Sequence, residues 1–173
     1  MAFSLYDATV PSFQQTIGAT LKVLDKAEAF CAETGLDPTA LVGSKLADDM
    51  LPLGYQVKSL CAHSAGAIKG VQAGVFSPDM TPWPKDIAGL KTALTSALAD
   101  IDAVSPDDLN GVVGRDMAFV MGERRMEFTA EDFLMSFSMP NFYFHATAAY
   151  AILRWKGVQI GKMDYMGRPR LKG

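Results

Sequence analysis

An apolar stripe near the start of the chain limits what it can fold into. Between Ser4 and Ala32, the residues Val10, Phe13, Ile17, Leu21, Leu24, Ala27 and Cys31 recur every three or four positions. That spacing lines one face of an α-helix and matches no strand. A helix this long gains most of its stability from packing its apolar face, so the stripe calls for partner helices. "ETGLDP" closes it, with Gly35 as the C-terminal cap and Pro38 just beyond.

Three more stretches supply partners. After a mixed segment, "TALVGSKLADDM", a second helix is expected from about Asp49, with Asp49 as N-cap and Pro52 confined to the first turn. Its stripe is Leu53, Val57, Leu60, Ala67 and Val71, with His63 between Leu60 and Ala67. "AGVFSPDMTPWP" ends it. A third helix, about Lys85 to Val104, carries Ile87, Leu90, Leu94, Ala97, Leu98 and Ile101, and "SPDDLNG" stops it. The fourth opens on a Thr129–Asp132 capping pair and runs to Gly157. Pro140 interrupts it, which predicts a kink or a fresh helical start there. Before it, Met117, Phe119 and Met121, then Met126 and Phe128, alternate around Gly122-Glu123. This is the pattern of a hairpin, and two strands alone must lie against something larger. The expectation is an all-α fold: one domain over residues 1–173, an up-down four-helix bundle with a small β-hairpin before the last helix.

Charge and composition narrow the function classes. With 16 basic and 19 acidic residues the net charge is −3, so no basic face is on offer to a nucleic acid backbone. The cations of the tail, Lys162 to Lys172, read as a solvated end. No apolar run approaches the roughly twenty residues needed to cross a bilayer, and the first residues lack the pattern of a signal peptide. Cys31 and Cys61 form no CxxC pair and read as reduced thiols. A cytoplasmic location is expected.

The chain has two histidines, His63 and His145, on the second and fourth helices, each on an interior face. Packed helix axes lie about 8–10 Å apart, so facing imidazoles can share one ion, and Ala148 and Ala149 leave room beside His145. The other reading makes both core residues held by hydrogen bonds. A catalytic zinc has three protein ligands, and no third is evident. Asp49 and Gln56 share a face with His63 by sevens, yet lie roughly 21 and roughly 10 Å away along a straight helix. Asn141 is near enough but is a weak ligand, as are Gln14 and Gln15. Tyr55, Tyr143 and Tyr150 could each bring a phenol, or simply pack with the hydroxyl at a wet edge. Ser64 and Ser138 have no triad context. Cys61 and His63, two apart, point about 200° away from each other on a helix. "GVVGRD" lacks the glycine spacing of a nucleotide fingerprint.

"LYDATVPSF", "LADDMLPLGYQVKSLCAHSAGA" and "PNFYFHATAAYAILRWKGVQIGKMDYMG" resemble the domain of unknown function 1993 family, grouped with the DinB/YfiT-like metalloenzymes. The similarity runs from Tyr6 to Gly167. It implies a four-helix bundle, often a homodimer. In the metal-binding members three histidines hold a divalent ion, one on helix two and an i,i+4 pair on helix four, and some members use low-molecular-weight thiols. His63 matches the first position and His145 the second. Ala149 stands at the third, without a ligand atom. The resemblance therefore implies a two-histidine site for a small molecule or for a divalent metal (Zn, Ni or Mn), completed by Asn141, Tyr150, water or substrate. A metal-dependent transferase or isomerase and a non-catalytic dimeric bundle both stay open, and so does whether the chain is an enzyme.

Overall fold

The computed structural model describes residues 3–172. Ser4 opens helix α1 (Leu5–Thr34) with a reciprocal cap: its hydroxyl accepts from the Asp7 amide while the Asp7 carboxylate accepts from the Ser4 amide at 3.0 Å. Gly35 closes the helix in the left-handed region at φ 74, where only glycine is unstrained.

The mixed segment contains a short helix, α2 (Pro38–Val42), capped by Asp37. The second long helix starts later than expected. Asp49 is an exposed turn residue and not its N-cap; Pro52 holds that place, without a side-chain bond. From there α3 (53–73) is one rod in three segments, Leu53–Cys61, a π-helical turn Ala62–Gly66, and Ala67–Ala73. Gly74 caps it at φ 76 and leads into strand β1 (Val75–Phe76). Helix α4 (Ile87–Asp102) is capped by Asp86, and a one-turn helix α5 (Pro106–Asn110) by Ser105.

Strands β2 (Asp116–Met121) and β3 (Arg124–Thr129) pair antiparallel around Gly122-Glu123, with Phe119 opposite Met126. The sheet has a third member that the spacing did not predict: β1 lies parallel to β2, Phe76 beside Phe119. A two-residue strand is too short for alternation to reveal it.

Thr129 caps the last rod, α6 (130–155), by accepting from the Asp132 amide. The rod ends at Trp155, two residues before Gly157, and contains its own π-helical turn, Phe133–Ser138, between Ala130–Asp132 and Met139–Trp155. That turn sits immediately before Pro140. A proline removes one N–H from the helical ladder. The wider turn re-routes the bonding around the gap, and the backbone stays right-handed through Met139 (φ −64, ψ −42). There is no fresh start.

The four long rods pack α3 against α6 and α4, and α1 against α4 and α6. They bury one continuous apolar cluster, in which Phe13 meets Phe142 edge to face at 4.7 Å. Fully burying each such side chain contributes about 1.5–3 kcal/mol. The tail is strapped to α1 as well as exposed. Lys26 pairs with Asp164 of helix α7 (Lys162–Met166) at 2.6 Å, and Arg170 donates to the Pro11 carbonyl and to Gln15. No helix among the described residues is long and apolar enough to cross a membrane.

Candidate functional site

α3 and α6 bring His63 and His145 together. The ring centroids are 5.8 Å apart and the planes lie within 13° of parallel. Two local features aim them. His63 sits in the π-helical turn of α3, which shifts the register of the rod where it meets α6. His145 sits in regular helix two turns beyond Ser138, the last residue of the other π-helical turn. Such turns interrupt helices mostly where a side chain must be re-aimed.

Each imidazole is held by its Nδ1. The partner of His145 is Gln56, whose Oε1 lies 2.7 Å from Nδ1. Gln56 is 2% exposed, and its amide nitrogen already donates to the Leu51 carbonyl at 2.8 Å. Its oxygen must therefore accept, which places a proton on His145 Nδ1. For His63 the partner is the buried hydroxyl of Ser138, 3.2 Å from Nδ1. That hydroxyl donates to the His63 carbonyl at 3.1 Å, so the His63 Nδ1–H donates to it in turn. Both rings are then neutral, with the proton on Nδ1 and the lone pair on Nε2. Among the described residues neither Nε2 has a hydrogen-bond partner, and no buried side-chain nitrogen or oxygen is left unsatisfied. Each Nε2 therefore keeps at least a little exposed surface.

Electrostatics agree with neutral rings. Burial pushes His145 down to about 4. Burial also takes His63 to about 4, and the neighbouring His145 charge adds to the effect. The surroundings are aromatic. Phe76 stacks on His63 at 5.6 Å and Phe137 meets it edge-on at 5.9 Å. Tyr55 and Phe144 meet His145 edge-on at 5.9 and 5.3 Å, and Trp83 backs Tyr55 at 5.8 Å. Gly54 makes this arrangement possible. A Cβ there would collide with the Trp83 indole and come within 3.0 Å of Val42.

The other residues singled out in the sequence lie elsewhere. The Asn141 amide donates to the Phe137 carbonyl at 2.7 Å. Tyr150 packs edge-on against Tyr165 at 5.7 Å and borders a narrow crevice shared with Val23 and Leu24 of α1. Gln14 bonds Asp102 and Gln15 the Met166 carbonyl, so neither reaches the histidines. Gln56 and Ser138 are the two site residues that sequence reasoning passed over. Gln56, a poor partner for His63 by helical rise, serves His145 across the helix pair. Its one signal was a polar side chain among Leu53, Val57 and Leu60 on a buried stripe.

The donor set fits a divalent ion in part. Metal–nitrogen bonds of about 2.0–2.1 Å, with about 1.1 Å more from each Nε2 to its ring centre, set two sharing imidazoles roughly 5–6 Å apart. The observed 5.8 Å falls in that range, and with the planes within 13° of parallel both rings can face one ion only where they lie nearly edge to edge. Gln56 and Ser138 are the outer hydrogen bonds that fix a ligating tautomer. A closed all-protein site is not present: no group of three or more His, Cys, Asp or Glu among the described residues could hold an ion.

Comparison with known proteins agrees with this architecture. A structure of a DinB family member protein from Shewanella denitrificans is 29% identical with a TM-score of 0.82, covering 98% of this chain and 95% of its own. No curated protein matches the chain significantly. The model of a domain of unknown function, DUF1993, matches residues 5–166, and the chain belongs to that family.

Proposed function

We propose that the chain is a DinB-like up-down four-helix bundle with an inserted hairpin, and that His63 and His145 form an open two-histidine site for a divalent ion (Zn, Ni or Mn) or a small polar molecule. One observation carries the reading. Both Nδ1 atoms are bonded, to Ser138 and Gln56, and neither Nε2 has a hydrogen-bond partner among the described residues. A histidine that serves packing alone has no need to spare a nitrogen in this way twice. His63 and His145 would hold the ion, and water or substrate would take the positions that Ala149 cannot fill. A bound ion supplies Lewis acidity, which polarises a substrate or lowers the pKa of bound water or thiol. The chain's own part is to hold two neutral rings in register and to screen them with Phe76, Phe137 and Tyr55.

The test is elemental analysis after reconstitution. Near one Zn, Ni or Mn per chain is expected, with His63→Ala and His145→Ala each abolishing retention. A metal-free wild-type protein overturns the ion-binding reading.

A second reading is favoured by the aromatic packing of both rings and by the lack of a third ligand: a non-catalytic, dimeric bundle in the cytoplasm whose histidines serve stability. A homodimer in light scattering with no retained ion supports it. The thiol chemistry of some DinB-like enzymes is the least supported, since Ala149 breaks their ligand set and the Cys61 thiol is pushed up to about 12 by burial.

A further inference from the structure

The sheet ends in a strand whose charges are arranged to meet a copy of themselves. β1 lies on one side of β2 and β3 on the other, so β3 is an outer edge. Gly122, at φ 59, and Glu123 form a two-residue hairpin loop, which makes Met121 and Arg124 a hydrogen-bonded pair. Bonded and non-bonded pairs alternate from there. Arg124, Met126 and Phe128 therefore direct their backbone groups to β2, while Arg125 and Glu127 turn theirs away from it. Ala118, the residue opposite Glu127, agrees with this alternation, because its N–H bonds to the Gly74 carbonyl beside β1. Among the described residues no further backbone hydrogen bond is made at the outer edge of β3.

An open edge is a template for pairing, and charged side chains of one sign are a usual guard against it. β3 carries both signs. Arg125 and Glu127 stand two residues apart and so share a face, where they pair at 2.5 Å while their side chains remain 59% and 64% exposed. The opposite face carries Met126 and Phe128, both half-buried.

We propose that β3 docks antiparallel on β3 of a second copy of this chain, about a two-fold axis at Met126. That register sets Arg125 opposite the second copy's Glu127, and Glu127 opposite its Arg125. The outward N–H and C=O groups of all four residues then close hydrogen-bonded pairs, and four charges of alternating sign line one face. On the other face Met126 meets its own copy at the axis. Charge selects this register over its neighbours: an axis at Arg125 or at Glu127 would set two like charges directly opposite, which is destabilising. The contact is isologous and small, as in a weak, reversible dimer. The inference rests on the dimeric reading given above and names its surface; it is independent of what the histidines bind.

Sedimentation equilibrium from micromolar to submillimolar concentration tests it on the full chain, with circular dichroism to verify that each variant is folded. The wild type is expected to dimerise. Arg125→Glu and Glu127→Arg each set like charges opposite one another twice, and each should weaken the dimer by about tenfold or more. The double variant exchanges the signs, restores the pairs within and across the strands, and should recover most of the affinity. Equal dimerisation in all four proteins, or a loss that the double variant does not repair, overturns this inference and leaves a dimer formed through another surface. A wild type that stays monomeric throughout overturns the dimeric reading as well.

Discussion

On one flank of α3, His63 meets His145, Tyr55 and Phe137. On the other, a cavity of about 690 Å³ opens toward α4 and the segment 77–84. The cavity offers space but carries the less useful chemistry. Its walls are small residues, among them Ala65, Gly66, Gly70, Ala93 and Ala97, so the two rods approach without filling the space between them. Gly70 is required for a different reason, since Phe76 comes within 3.0 Å of where its Cβ would stand. The lysines there are occupied. Lys58 donates to the Asp79 and Thr81 carbonyls and pairs with Asp79 at 3.2 Å, and Lys69 pairs with Asp100 at 2.6 Å. The Cys61 thiol stays protonated at neutral pH. Volume here reports where side chains are small. The proposed site lies instead where two Nε2 atoms are left without partners among the described residues.

The sharpest way to break that contrast is to exchange the flanks. His145→Ala is expected to lower affinity for a divalent ion by about a hundredfold or more, since one of two protein ligands is gone. Cys61→Ala, in the cavity, should leave that affinity unchanged. Calorimetric titration with Zn(II) on both variants decides it, and a loss with Cys61→Ala would move the site to the cavity side.

Acid should act through the histidine flank. Both imidazoles titrate near 4 in the folded chain and near 6.5 when unfolded. Below 6.5 the unfolded chain therefore binds protons that the folded chain refuses, so stability is full above that pH and falls as pH drops toward 4. The loss is on the order of a few kcal/mol for the pair. Urea unfolding of ion-free protein across this window should show it, and His145→Ala should flatten the slope. An unchanged slope would mean that burial does not hold the rings neutral.

Gln56 comes next. Gln56→Leu keeps the volume but leaves the His145 Nδ1–H without an acceptor. Ion affinity is expected to fall about 10–100-fold, the usual effect of removing an outer partner of a ligating histidine, and stability by about 1–3 kcal/mol. Gln56→Glu should restore the acceptor and most of the affinity. That rescue would not follow if Gln56 were merely filling space.

The expectations that held and those that failed have different physical origins. Caps are local, so Gly35, Thr129 and Asp132 could be read from neighbouring residues alone. The interior placement of both histidines followed from helical spacing. What escaped depends on contacts distant in sequence. Gln56 and His145 are 89 residues apart, and Ser138 and His63 are 75 apart. Strand β1 exists only because β2, some forty residues later, supplies its partner. The π-helical turns have no sequence pattern of their own; packing and Pro140 select them. Asp49 was misplaced because an acidic residue before a helix reads as a cap wherever the loop geometry is unknown.

Gly54→Ala probes the support of the histidine flank without touching a ligand. The added methyl must displace the Trp83 indole, Val42 or the Pro84 carbonyl. Forcing a methyl into a filled space costs about 1–3 kcal/mol, and here the movable neighbour is the aromatic ring behind Tyr55. The Trp83 fluorescence should shift toward that of an exposed indole, while binding at the histidines weakens only as far as Tyr55 follows. An unshifted spectrum would mean that Trp83 does not depend on that contact.

The smallest effect belongs to the cavity flank. In the Lys69–Asp100 pair the side chains are 63% and 40% exposed. Solvent and salt screen such a pair, and side-chain entropy offsets much of the attraction, so exposed pairs contribute about 0–1 kcal/mol. Lys69→Ala should therefore shift the thermal midpoint by only a degree or a few and leave ion binding at the histidines as it was. It also opens the cavity mouth, because the lysine spans from α3 to Asp100 on α4. If that variant instead weakened ion binding as strongly as Gln56→Leu, the two flanks of α3 would be coupled through the π-helical turn that lies between them, and the separation of volume from chemistry would fail.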